Sequence, residues 1–490
     1  MIPDPQTRRW ADGAATILAA LVPLVVYLRT LAPTVYGLDS AELTTGAYLL
    51  GVVHSPGSPL FLLLGHVFTW LPFGDVGYRV NLLSACSAAV AVAFVFLAVR
   101  QLTGERLLAL GTAWYLAFSY YFWGAAVAAE LYALHALFVA LLLWLALRWR
   151  DELSLARVSA FAVLFGLGLG NHLSLCVLAP GYVWLLASGR GQAWRRGRWW
   201  LAGLVGALAG ASIYLYLPLR ADSPMNYARD YGIDVTTWGG FWAAVSGRMF
   251  ASHYFAVPVA QLPGEVLGYA HRLWSNFLGL GCLVGIAGLV ADFDRRRDVH
   301  LGLILLFFGH LSFMLTYDVP DREVMLVPTY LIWALWTAIG VRALADAVTP
   351  RRASRASAPA TTAAVLMLAM SATNLVVNFA DADISDDWSA RVQGEAIFAS
   401  LPPGAVFIGA WYDVPILEYL RWVEGRRPDI ETVNLFFLPR GGEADVARRH
   451  LRAGRAVFTS APSTLLADDL AFEPDADCAC ARVVLLPDLP

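Results

Sequence analysis

"VSAFAVLFGLGLGNHLSLCVLAPGYVWLLA", residues 158–187, is too long for one membrane crossing and too short for two of ordinary length. A helix needs roughly 20 apolar residues to cross a hydrocarbon core of about 30 Å. The flanking arginines decide the reading: Arg148, Arg150 and Arg157 precede the stretch, and Arg190, Arg195, Arg196 and Arg198 follow it. Short arginine-rich connections stay in the cytoplasm, so both flanks belong on one side and the chain crosses twice between them. Two segments of about 15 residues then meet at Asn171-His172, each rising only about 22 Å. Their turn lies at membrane depth, where irregular backbone is tolerated only against protein or a wet cavity.

The same logic threads the rest of the chain. Its 490 residues are 58% hydrophobic and 15% charged, with mean hydropathy +0.58, a composition that reads as a polytopic membrane protein. All 35 fixed side-chain cations are arginine, set against 38 acids, and the net −3 gives no reason to expect a nucleic-acid partner. The apolar run 14–32 follows Arg8 and Arg9, is longer than a signal-peptide core, and reads as a retained first span, 14–33. Further spans are expected at 80–100, 107–128, 131–148, 199–218, 269–291, 299–317, 324–345 and 362–379. With the two short segments this makes about eleven membrane segments, with the N-terminus cytoplasmic and the C-terminus outside. Cys86, Cys176 and Cys282 read as small buried hydrophobes, and a strained Cys478–Cys480 disulfide is not expected.

This threading sorts the charges. Asp39, Glu42, His54, Glu130, His172, Arg220, Asp318, Asp321 and Glu323 all fall at or beyond the outer ends of spans. The expected organisation is a mainly α transmembrane domain, 1–380, with outer-face helical loops at 34–79 and 219–268, followed by a small extracytoplasmic α/β domain, 381–490. In the latter, helices 388–400, 413–424 and 442–453 alternate with strands 404–409, 431–437, 456–459 and a last one near 482–486, a pattern that predicts a mainly parallel sheet.

The first outer loop carries "GLDSAELTTGAYLLGVVHSPGSPLFLLLGH", residues 37–66. Asp39-Ser-Ala-Glu42 has the spacing of a capping box, in which Asp39 would accept backbone N–H groups at a helix start and Glu42 would reach back. Two helices, 40–53 and 59–71, would lie flat on the membrane as a shelf, broken by His54-Ser-Pro-Gly-Ser-Pro59. Against the capping reading stands the cost of placing charge at the lipid boundary unless it is used or paired.

"LDSAELTTGAYLLGVVHSPGSPLFLLLGHVFTWLPFGDVGYRVNLLSA", "AAELYALHALFVALLLWLALRW", "GLGLGNHLS", "YLYLPLRA" and "YDVPDREVMLVPTYL" together resemble a family of polytopic membrane proteins of the GT-C glycosyltransferase class, similar to protein O-mannosyltransferases. The resemblance covers roughly residues 14–345. It implies a polyprenyl-phosphate sugar donor, a protein or glycan acceptor on the extracytoplasmic side, the bacterial inner membrane as the expected location, and displacement with inversion. Asp39 maps to the catalytic carboxylate, with Glu42 as a second acid.

The departing phosphate then needs positive charge or donors, for which the candidates are His54, Arg79, His172 and Arg220. Arg79 could instead snorkel at its span's start, and Arg220 could pair with Asp222. Glu130, Tyr132 and Asn171 are expected to line the cavity, although Glu130 also suits a helix N-terminus. Asp318, Asp321 and Glu323 could form a metal site or simply a solvated turn; a divalent metal stays open and none is assigned. The rival reading is a transporter or flippase of lipid-linked saccharide, which would want ionisable groups near the midplane and paired broken helices.

Overall fold

A computed structural model describes residues 5–189, 197–320, 322–348, 358–438, 442–465, 467–474 and 480–486, and the side chains of these from residue 10 onward. Among these residues, seven helices are long and apolar enough to cross a membrane: Trp10–Thr30, Val76–Thr103, Leu131–Trp149, Gly197–Leu219, Arg297–Thr316, Val327–Val348 and Ala358–Ala382. Leu155–Leu169 and Leu173–Ala187 are the two short apolar helices expected on either side of Asn171-His172. Val76–Thr103 and Leu131–Trp149 are the bundle's centre, each 78% buried, whereas Trp10–Thr30 at 22% lies on its rim.

Two expected spans are not single helices. The 107–128 stretch divides into Arg106–Ala117 and a short turn of helix, Tyr120–Gly124. The 269–291 stretch is a pair, Val259–Asn276 and Leu280–Val290, bent by 106°. At that bend Leu278 and Gly279 take φ of 49° and 65°, so the helical ladder cannot continue. The opened backbone is satisfied from the neighbouring element: Tyr115 Oη donates to the Phe277 carbonyl at 2.6 Å.

Four arginines are tied to acids at one end of the bundle. Asp12 holds Arg100 and Arg106 at 3.2 and 2.8 Å, Glu105 holds Arg342 at 2.9 Å, and Asp298 lies 3.7 Å from Arg150. Arg190, Arg195, Arg196, Arg351, Arg352 and Arg355 lie outside the described residues, as do the side chains of Arg8 and Arg9.

The opposite end carries the shelf, Asp39–Leu49 and Pro59–Phe68. Val52 forms a parallel bridge with Asn226, tying the shelf to the second outer loop, and the Leu60 N–H donates to the Gly170 carbonyl at 3.0 Å, tying it to the broken helix. Gly57, at φ +90°, is pressed against Leu217, whose Cδ2 a Cβ would meet at 2.6 Å.

Above the shelf sits a five-stranded sheet: β1 (Val406–Gly409), β2 (Glu431–Asn434), β3 (Val457–Thr459), β4 (Leu470–Pro474) and β5 (Ala481–Leu485), in the order β2-β1-β3-β5-β4. β1 runs parallel to β2 and β3, but β5 is antiparallel to both β3 and β4. The expected mainly parallel sheet is therefore mixed, because only a short connection separates β4 from β5 and a parallel crossover needs a dozen residues or more. Cys480 is disulfide-bonded, contrary to expectation; Cys478 lies outside the described residues, and Cys86, Cys176 and Cys282 are free. The unit is clamped to the bundle by Arg391, bidentate to Glu424 at 2.7 and 2.8 Å and 3.4 Å from Asp75.

Helices Leu280–Val290 and Val327–Val348 touch backbone to backbone: a Cβ on Gly340 would fall 2.0 Å from the Val284 carbonyl oxygen. Overpacking a tight contact costs about 1–3 kcal/mol, so Gly340→Leu should lower the melting temperature in detergent by several degrees. Gly264→Ala, with nothing within 4 Å, should leave it unchanged; equal melting of the two variants would contradict this packing.

Candidate active site

The shelf helix begins without a capping box. Leu38 occupies the cap position at φ 55° and makes no side-chain cap bond, so both acids on the first turn are turned to other partners. Glu42 is fully buried. Its Oε1 accepts the His54 backbone N–H at 2.6 Å, and its Oε2 lies 2.6 Å from His54 Nδ1. Burial pushes the Glu42 carboxyl up and the neighbouring Asp39 charge adds to this, while the imidazole pulls it back. Asp39 is half-buried, and its Oδ1 accepts Trp411 Nε1–H at 2.8 Å.

Asp39, Glu42 and His54 thus form one cluster. Their ligand atoms all lie within 4.8 Å of one another, so the trio could hold a divalent cation that takes oxygen and imidazole together. Phe250 and Trp411 flank the His54 ring edge-on at 5.8 and 5.6 Å, fixing its plane. The arrangement offers a partly accessible carboxylate backed by a buried acid bonded to a half-buried imidazole, which is the equipment for accepting a proton.

Arg220 stands at the far end of the same helix, with Nε and one terminal nitrogen donating to the carbonyls of Leu50 and Leu49 at 2.8 and 3.0 Å. His172 caps the short helix after the membrane break, its Nδ1 accepting the Ser174 N–H at 3.3 Å. The Tyr132 ring lies 5.7 Å from His172, and Asn171 Nδ2 donates to the Leu131 carbonyl at 3.0 Å.

Two expected residues have other partners as well. Arg79 donates to the carbonyls of Phe73, Thr69 and Gly74, at 3.0, 2.8 and 2.8 Å, and so braces the loop before its own helix. Glu130 occupies the cap position of helix Leu131–Trp149 without a side-chain cap bond, and its backbone exchanges hydrogen bonds with Ser84 Oγ. In "YDVPDRE", Glu323 pairs with Arg272 at 2.6 Å and Asp318 exchanges backbone contacts with His253; Asp321 lies outside the described residues.

Sequence reasoning missed most of the site's outer wall. Tyr227 Oη donates to Glu418 Oε2, and Tyr227 packs on Phe437 with ring centroids 4.1 Å apart. Glu418 is 4% exposed, and burial, with the charges of Asp230 and Glu42, pushes its carboxyl up to about 8. On the membrane side, buried His135 and His310 continue inward from His172, with ring centroids at 4.9 and then 6.4 Å. The one signal available was topological: Trp411, Phe436 and Phe437 all follow the carboxyl ends of β1 and β2, where parallel sheets bind ligands.

Residues 39–195 match the family model described as Protein O-mannosyl-transferase TMEM260 N-terminal domain. The chain is 31% identical over 326 residues to Protein O-mannosyl-transferase TMEM260 of Mus musculus, an alignment covering 62% of this chain and 44% of the relative. It is 24% identical over 477 residues to Protein O-mannosyl-transferase tmem260 of Dictyostelium discoideum, covering 86% and 57%. The chain therefore spans about half the length of the curated relatives it matches. ArnT from Cupriavidus metallidurans, solved bound to undecaprenyl phosphate, superposes with a TM-score of 0.56 at 12% identity over 98% of each chain. The fold is shared with ArnT, and the resemblance read from the signature stretches agrees with the matched family model and relatives.

Glu418 supplies a pH-dependent handle. Its carboxyl titrates near 4.5 when unfolded and about 8 when folded, so between those values the native state keeps a proton that the unfolded chain releases, and stability falls as pH rises. Each pH unit of that gap is worth about 1.4 kcal/mol. Glu418→Gln keeps an oxygen for Tyr227 and has no proton to lose. It should melt above the wild type at pH 8 and converge with it at pH 5; a pH-independent gap would refute the buried proton.

Proposed function

We propose that this chain is an inverting membrane glycosyltransferase that moves a sugar from a polyprenyl-phosphate donor to an acceptor hydroxyl, with Asp39 as the base. The sugar is mannose and the acceptor a protein on the analogy of the relatives' names. Residues 1–380 form the transmembrane domain and 381–490 an outer unit. The arginine-lined end faces the cytoplasm and the shelf faces the opposite compartment, by the positive-inside rule.

The observation that carries this reading is the position of Asp39 between the shelf and the sheet unit, with Glu42 and His54 immediately behind it. In the reaction Asp39 takes the acceptor O–H proton as that oxygen forms its bond to the anomeric carbon. The carbon–oxygen bond to phosphate breaks on the opposite face, and the lipid phosphate leaves with the electron pair. Phosphate needs little protonation to depart; donors that hold its oxygens suffice. His54, His172 and Arg220 supply these from the membrane-facing side, with Tyr132 and Asn171 lining that approach.

Acceptors approach from the opposite side. A cavity of about 430 Å³ lies between the second outer loop and the sheet unit, lined by Arg248, Met249, Phe250, His253, Leu435 and Phe436 among others. Phe250 borders both this cavity and His54, which supports an acceptor path from the cavity toward the base. The carrier reading is less well supported: the acid–imidazole cluster lies between the shelf and the sheet unit instead of among the spans.

The direct test reconstitutes the full chain in liposomes with radiolabelled polyprenyl-phosphate mannose and a serine- and threonine-bearing peptide. Asp39→Asn should lower transfer by at least about 100-fold, the usual contribution of a general base; transfer at the wild-type rate would remove Asp39 from that role. Arg248→Glu should raise the peptide KM several-fold and leave the donor KM unchanged, and a change confined to the donor KM would displace acceptor binding from this cavity.

A further inference from the structure

We infer that Trp411 is a positioning residue for Asp39, so that the sheet unit completes the active centre across the shelf. This rests on Asp39 being the base. The two residues are 372 positions apart in sequence, yet the indole Nε1–H donates to Asp39 Oδ1 at 2.8 Å. Asp39 is the first residue of its helix, and its side chain is held by the incoming indole.

The chemistry fits that task. A carboxylate turns freely about its last carbon–carbon bond, and a base must present one oxygen lone pair to the acceptor hydroxyl. A donor fixed on Oδ1 sets the plane of the group and leaves Oδ2 to receive the proton. Indole suits this role because it donates one hydrogen bond and accepts none; it cannot compete for the proton it helps to place.

Trp411 is itself held on several sides. Its ring meets Phe436 at 5.2 Å, Phe437 at 5.1 Å, Tyr227 at 6.0 Å and His54 at 5.6 Å. The segment it sits on is carried by β1, and the following helical turns are locked to the bundle: the Gly77 N–H donates to Tyr419 Oη at 3.2 Å, and Tyr227 donates to Glu418. Phe436 also lines the cavity beside the cluster, so the aromatic wall around Trp411 runs without interruption from that cavity to Asp39.

The experiment compares Trp411→Phe, which keeps an aromatic ring and removes the N–H, with Trp411→His, which keeps a ring N–H, both in the reconstituted full chain. Donor-lipid binding stoichiometry serves as the measure of folded sites. Trp411→Phe should bind donor at the wild-type stoichiometry, keep both KM values within about twofold, and lose about 10- to 100-fold in kcat, the scale of a displaced catalytic group. Trp411→His should recover part of that loss. Wild-type turnover in Trp411→Phe, loss of donor binding, or equal impairment of the two variants would overturn the positioning role. Wild-type transfer by Asp39→Asn would instead overturn the base assignment on which it stands.

Discussion

A buried carboxylate with both oxygens committed organises the outer face of this protein. Glu42 has no exposed surface, and an unpaired charge there would cost several kcal/mol. Its bonds to the backbone and ring of His54 are therefore a condition for folding the shelf. They join the first turn of one shelf helix to His54, two residues before the Pro56-Gly57-Ser58-Pro59 break, and so fix how the two shelf helices meet. The next tie, from Leu60 to the Gly170 carbonyl, satisfies backbone that the broken helix leaves open, as membrane depth demands.

What could be read from the sequence followed from constraints that act along the chain. The membrane limits span length, so the break at Asn171-His172 between two short apolar helices was legible from the length of the apolar stretch and the arginines on its flanks. The outer shelf, too, was visible in a proline-bounded apolar stretch. Local spacing misled where a long-range partner won: Asp39 and Glu42 have the separation of a capping box, but one pairs with His54 and the other with Trp411. Nothing in residues 37–42 records that Trp411 will arrive. The bend at Leu278-Gly279 was likewise hidden, since the residues on either side of it, Phe277 and Leu280, are apolar and the Tyr115 hydroxyl that stabilises it belongs to another helix.

The sheet unit shows why its topology matters to a site it does not resemble. Parallel neighbours β1 and β2 send both of their carboxyl-end loops the same way, and those loops carry Trp411, Phe436 and Phe437. An all-antiparallel sheet would have turned alternate loops away from the shelf. The antiparallel pair β4–β5 lies at the opposite edge of the sheet, where a hairpin suffices because no loop there needs to reach the membrane.

These two sources of structure meet at a physical boundary. A lipid-linked donor keeps its chain in hydrocarbon and presents its phosphate at the interface, whereas an acceptor hydroxyl arrives from water. A reaction joining them needs one wall anchored in the bilayer and another standing in solvent. In the proposed reaction the membrane wall is a file of imidazoles: His172, then His135, then His310, the last with no partner at either ring nitrogen among the described residues. The solvent wall is aromatic, from Tyr227 through Trp411 to Phe250. Unsatisfied polar groups in a spanning bundle cost about 1–3 kcal/mol each, and a fold retains them where their chemistry is used. In that reading the shelf borders both walls, and Asp39 stands on its first turn.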